Sequence, residues 1–189
     1  MTMVEERGGL SRDSHSGAIP RADAEAIIRR HQQTAPVDIL AIARDMGVAV
    51  YTDRLGPEVS GLIRRDQSDE AGPSGYLILV NQDHPFNRKR FTVAHEIAHF
   101  MLHCGGPLHG NGGGPLHEIR DDQFYRALSG PLEREANELA AEILMPWHLI
   151  DQLQGRGITD LHELARTLRV SRQALAIRLG IPYDQDWSS

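Results

Sequence analysis

The 189-residue sequence predicts an α+β fold. Three observations lead there. Helical periodicity dominates both ends of the chain. Short apolar runs bounded by Gly, Pro and Asp lie between Val48 and Val80, and they read as strands. Two long helical patterns then follow, the first carrying FTVAHEIAHFMLHC and the second PLEREANELAAEILMP.

The elements follow in order. Residues 1–18 are polar, lack the apolar middle of a signal peptide, and are expected to form a disordered tail. Ile19 to Arg30 reads as a helix with Ile19, Ala22, Ala26 and Ile27 on one stripe. Thr34 can cap a second helix, with Pro36 in its first turn, Ile39, Leu40 and Ala43 as its apolar stripe, and Gly47 at its end. Val48–Tyr51, Val59–Arg64 and Tyr76–Val80 are strand candidates. His84-Pro85 turns the chain, and Asn87 can cap the helix that follows. The glycine-rich stretch 105–115 is a loop by composition, either a lid over a cleft or a surface loop. Pro131 opens a helix that Pro146 closes, and two short helices remain, about Thr159–Leu168 and Ser171–Leu179. The expected organisation is a tail at 1–18, a main domain at 19–150, a helix-turn-helix-like tail at 151–182 and a flexible end at 183–189.

Composition narrows the function. A formal net charge of −6 weighs against a protein whose main task is binding nucleic-acid phosphates. No segment approaches the ~20 apolar residues of a membrane helix. Cys104 is the single cysteine, so no internal disulfide forms and a reducing, cytoplasmic compartment is expected.

The chemistry is in FTVAHEIAHFMLHC. With Phe91 at zero on a wheel of ~100° per residue, His95, His99, His103 and Glu96 fall between ~40° and ~140° as one polar strip. Apolar side chains fill the rest, so the helix is expected to be buried nearly all round, and its imidazoles need partners. Imidazoles at i and i+4 converge on one point, where Zn²⁺ satisfies both. The glutamate between them, slightly round the wheel, reaches the attacking water and serves as general base. HExxH arises by chance in roughly 3% of shuffled chains of this composition, so its helical context carries the weight.

A catalytic zinc takes a third protein ligand from elsewhere. On the second helix Glu135, Glu138 and Glu142 cluster on a solvated face. Leu132, Ala136, Leu139, Ala140, Ile143 and Leu144 form a buried arc, and Glu133 sits at its border with Asn137 beside it. A carboxylate at the edge of a core needs a counter-charge, so the wheel picks Glu133 over Glu135. The competing reading of Glu133 is an acid favoured by the helix dipole. Asn137 is a candidate for an outer hydrogen bond to the site.

RFTVAHEIAHFMLH followed by EREANELAAEILMP resembles the ImmA/IrrE-type metallopeptidases, and APVDILAIARDMGVAVY with the strand before the metal helix is similar to that family's layout. The resemblance spans about 19–182. It implies a minimal zincin-like core, a small sheet packed on the HExxH helix with helical additions. It also implies His95, His99 and Glu133 as ligands of one zinc ion and Glu96 as catalytic base. The implied substrate is a transcriptional repressor or related regulator, and the partner is a helix-turn-helix repressor or antitoxin. The extra C-terminal sensor domain of larger relatives is not expected here.

Other residues keep two readings. LHELARTLRVSRQALAIRLG resembles a helix-turn-helix whose Arg172, Gln173 and Arg178 could meet DNA or a partner. The alternative is a two-helix pack closing the catalytic domain. In the turn, Arg169 stands where glycine is usual. Cys104 is either a fourth ligand or an inert buried thiol. His103 either assists the site or ends the helix as a cation. His109, His117, Tyr125 and His148 are candidates to stabilise an oxyanion. Arg88, Lys89 and Arg90 read as a solvated face. An extended substrate is expected to add to an edge strand, with Tyr76–Val80 as the candidate. Besides the peptidase, two further readings stand: a toxin neutralised by an antitoxin, and a DNA- or partner-binding regulator with a structural zinc.

Overall fold

A computed structural model describes residues 2–3, 19–104 and 130–182. The stretch 105–115, the candidates His109, His117 and Tyr125, and most of the expected tails lie outside the described residues.

Helix α1 (Arg21–His31) is followed by α2 (Ile39–Asp45), whose cap is Asp38. The Asp38 carboxylate accepts a hydrogen bond from Ala41 N at 3.1 Å. This corrects the expected start at Thr34: Pro36 lies before the helix, and Leu40 points outward at 41% exposure. One four-stranded sheet follows. Strand β1 (Thr2–Met3) pairs antiparallel with β2 (Val48–Asp53). Strand β4 (Tyr76–Asn81) pairs parallel with β2 and antiparallel with β3 (Gly61–Arg65), giving the order β1-β2-β4-β3.

The apolar run of β4 is buried along its whole length because it occupies the interior of the sheet. Tyr76–Val80 is therefore an interior strand and not the edge strand the sequence suggested; among the described residues β1 and β3 stand at the two ends of the sheet. Side chains alternate between the faces. Ile63, Tyr76, Ile78 and Val80 join the main core, while Tyr51, Leu77 and Leu79 form a small cluster on the other side. The loop after β3 folds against that second face, and Tyr51 Oη donates to Glu70 O at 2.8 Å.

Helix α3 (Phe86–Leu102) lies on the main-core face and α4 (Pro131–Leu144) lies against it. No side chain caps α3; Asn87 Nδ2 instead donates to Val170 O at 3.1 Å. Arg90, expected in solvent, donates to Val37 O at 2.7 Å and Arg169 O at 3.2 Å. The start of the HExxH helix is thus tied both to the segment leading into α2 and to the turn between the C-terminal helices.

Pro146 ends α4 and at once opens α5 (Trp147–Gly155), a helix the sequence reading missed; residue 151 lies within it. Pro is tolerated there because the first turn of a helix needs no N–H from it. The last carbonyls of α4, Glu142 O and Ile143 O, accept hydrogen bonds from Gln32 Nε2 at 2.9 and 3.0 Å. Helices α6 (Leu161–Leu168) and α7 (Arg172–Leu179) are capped by Asp160 and Ser171. Leu164, Ala165, Leu168, Val170 and Leu175 share one core with Ile97 and Met101. Arg169, in the turn, has φ +54°. Among the described residues no helix is long and apolar enough to cross a membrane.

Candidate metal centre

Burial of α3 on nearly all sides follows from its composition, and nine of its side chains are buried, Glu96 and His99 among them. The first turn of α4 crosses its histidine strip and delivers Glu133, while Glu135, Glu138 and Glu142 remain exposed.

His95 Nε2 and His99 Nε2 stand 2.9 Å apart. Glu133 Oε2 is 3.2 Å from the first and Oε1 is 3.2 Å from the second. The three ligand atoms lie within 4.8 Å of one another. Burial, opposed in part by the Asn137 hydrogen bond, lowers the basicity of His95. Burial and then the neighbouring His95 and His103 push His99 down to about 3. Burial thus favours the neutral form of both rings, the form that ligates a metal. Burial also raises the Glu133 carboxyl, against the pull of His103. Two neutral imidazole nitrogens and a partly desolvated carboxylate converging on one point form a nitrogen–oxygen donor set that fits zinc.

The far side of each ring has a partner too. His95 Nδ1 is 3.1 Å from Asn137 Oδ1, which accepts its hydrogen bond. His99 Nδ1 is 2.9 Å from His103 Nδ1, and His103 Nε2 lies 3.7 Å from Glu135. These contacts turn both Nε2 atoms toward Glu133. The spacing His95, His99, His103, four residues at each step, was the signal for the second of them.

Glu96 is 2% exposed and borders a cleft of about 700 Å³. The cleft runs between the 55–61 segment and α3, with Arg88, Phe91, Thr92 and Asn137 in its walls. Gly61 makes the close approach possible. A Cβ there would sit 2.4 Å from Thr92 Cγ2 and 3.7 Å from Glu96 Oε1. The sequence reading passed over Gly61, which signals only as a glycine at the start of a strand.

The remaining candidates scatter. Cys104 is 3% exposed and outside the donor set; burial, with the Glu96 charge adding, pushes its thiol up to about 12. His148 Nε2 donates to Gln32 O at 2.8 Å, beside the end of α4 remote from Glu133. Arg178 turns inward. It donates to Met145 O, pairs with Glu142 and stacks 4.7 Å from the Trp147 ring. Arg172 is half-buried and Gln173 exposed.

A family model described as the IrrE N-terminal-like domain, a peptidase family, matches residues 43–180, which contain the whole donor set and Glu96. The chain belongs to the IrrE N-terminal-like family. Curated relatives include the radiation response metalloprotease IrrE of Deinococcus deserti, 38% identical over 102 residues, which are 52% of this chain and 34% of that protein. The protein of the same name from Deinococcus radiodurans is 36% identical over 102 residues, 52% of this chain and 29% of the relative. The chain thus spans about a third of the length of these relatives. Among solved structures, a Mycobacterium tuberculosis transcriptional regulator aligns with TM-score 0.51 and 17% identity, over 89% of this chain and 49% of the other. That likeness concerns the fold, and the IrrE-like α+β core with helical additions is the fold described above.

Proposed function

We propose that this chain is a zinc-dependent endopeptidase that cleaves a regulatory protein, a helix-turn-helix repressor or one related to it. The observation that carries the reading is the convergence of His95, His99 and Glu133 within 4.8 Å, beside the buried Glu96 at the wall of a cleft. When bound, zinc supplies a Lewis acid and makes water acidic enough to attack at neutral pH. His95, His99 and Glu133 would hold it. Glu96 takes the proton of the attacking water and passes it to the leaving amine nitrogen. Low water access at Glu96 favours that transfer over exchange with bulk solvent.

β4 has partners on both sides, so an extended substrate would not add there. The single buried thiol suits a cytoplasmic setting. The Deinococcus relatives are named for a radiation response, which favours a stress-linked regulator as substrate over a toxin role. A DNA-binding role is disfavoured by Arg178, whose guanidinium is already engaged within the chain.

The test is a metal analysis joined to cleavage of candidate repressors, with Glu96→Gln as control. About one zinc per chain, and cleavage lost in Glu96→Gln, is expected. A protein that binds no zinc, or a Glu96→Gln variant that cleaves as well as wild type, would end the proposal.

A further inference from the structure

Helix α3 carries a second groove on the side facing away from the histidines. With Phe86 at zero, Lys89, Arg90 and Val93 lie within ~60° of it, while Phe91 and His95 fall at ~140–180°. The groove encloses about 470 Å³ between the starts of α2 and α3 and the ends of β2 and β4. Its walls are apolar, with Val37, Val50, Val80 and Val93 inside and Leu40 and Phe86 at the rim. Those rim residues are 41% and 55% exposed, more than large apolar side chains next to a cavity require.

Three cations line the same space: Lys89, Arg90 and Arg169. One carboxylate, Asp38, faces them, and one of its oxygens is taken by the cap of α2. Arg90 spends its donors on backbone carbonyls, and Lys89 Nζ reaches Gln82 O at 3.3 Å. The Arg169 guanidinium lies 5.6 Å from the Phe86 ring centre. In a chain of net charge −6, this cluster is a local excess of positive charge on an apolar hollow. Arg169 also holds a left-handed backbone, φ +54°, that glycine would adopt without strain. A strained non-glycine residue whose side chain reaches a groove points to a use for that side chain.

We propose that this groove is a docking surface for a short acidic–apolar segment of a partner protein. Phe86 and Leu40 receive a bulky apolar side chain, and Arg169 and Lys89 receive the flanking carboxylates. Duplex DNA matches the cations and leaves the apolar walls unused; a peptide of this kind uses both.

The experiment is selection of a random displayed-peptide library on the immobilised full chain, wild type and Arg169→Gly in parallel. The consensus peptide is then synthesised and titrated by fluorescence anisotropy and by amide chemical shifts. Arg169→Gly keeps the turn, because glycine is at ease at that φ, and its melting temperature checks folding. Phe86→Ala is the second variant. The expected consensus pairs acidic residues with a large apolar one. Its affinity falls about ten-fold or more in Arg169→Gly and drops with added salt. Its shifts gather on Val37, Lys89 and Val93. The proposal is overturned by a library that yields no enrichment, by a consensus without acidic residues, or by equal binding to Arg169→Gly. It is equally overturned if the shifts gather at His95 and Glu96, or if a short DNA duplex moves the groove amides and no peptide does.

Discussion

Asn137 Oδ1 lies 3.1 Å from His95 Nδ1, across the contact between α4 and α3. The bond fixes the His95 tautomer that leaves Nε2 without a proton, and the His103 contact at 2.9 Å holds the His99 ring in place. Asn137→Leu is expected to weaken zinc binding by about 10–100-fold, and His103→Leu by a similar factor. Both rings face one site, so the double variant is expected to depart from the sum of the two single losses. Competition against a chromophoric chelator measures all three; unchanged affinity in both single variants removes the orienting role.

Glu133 and Glu135 stand two residues apart on one turn, yet only Glu133 reaches the histidine pair. Glu133→Gln is expected to lower zinc affinity by about 100-fold or more, since a carboxylate ligand becomes a neutral amide. Glu135→Gln, 58% exposed, should change it by less than about ten-fold. Equal losses in the two would contradict the assignment.

Gly61→Ala tests the close approach of β3 to α3. The added methyl meets Thr92 Cγ2 at 2.4 Å and Leu79 O at 2.8 Å. A loss of about 1–3 kcal/mol in denaturant unfolding is expected from this overpacking. Thr92→Ser removes the obstructing methyl, so it should be less harmful in the Gly61→Ala background than alone. A cycle with no coupling would mean that the strand simply shifts.

Arg178, a candidate for an external partner, brackets α7, α4 and α5. Its side chain is 15% exposed. Arg178→Ala should cost about 1–3 kcal/mol, because it leaves Met145 O and Glu142 without their donor. Arg166→Ala, 74% exposed, should stay within about 0.5 kcal/mol. Thermal and urea unfolding distinguish the two.

Asp45 supplies a pH signature away from the metal centre. Burial pushes its carboxyl up, but hydrogen bonds from His31 and Arg30 outweigh this and hold it below its ordinary 3.8. A carboxylate whose pKa is lower in the folded state stabilises above the unfolded value and loses that contribution as pH falls through the folded one. Asp45→Asn should therefore be less stable than wild type by about 0.5–1 kcal/mol at neutral pH. The gap should close below 3.8. A gap that persists at lower pH would place its cause in packing.

What was legible in the sequence was what one helix decides by itself. The polar strip of α3 and the border position of Glu133 come from a rotation of ~100° per residue, which needs no knowledge of neighbours. Ser171 capped α7 as expected, since a cap reaches only three residues ahead. Gly61 beside Glu96, Arg90 across two backbone carbonyls, Asn87 on Val170, and the inward turn of Arg178 were not legible. Each depends on a partner far along the chain, brought near by strand order and helix packing. Tyr76–Val80 shows the difference: its run of apolar residues states that a strand is buried, but an edge and a centre share that composition. Hydrogen-bond pairing with β2 on one side and β3 on the other put it in the middle. The sequence by itself singled out the candidate donor residues and the helices that carry them. The tertiary structure decided that β4 lies inside the sheet, which cations stayed exposed, and that Glu133 arrived within 3.2 Å of both imidazoles. Periodicity is a property of neighbours in the chain, whereas convergence is a property of packing between elements.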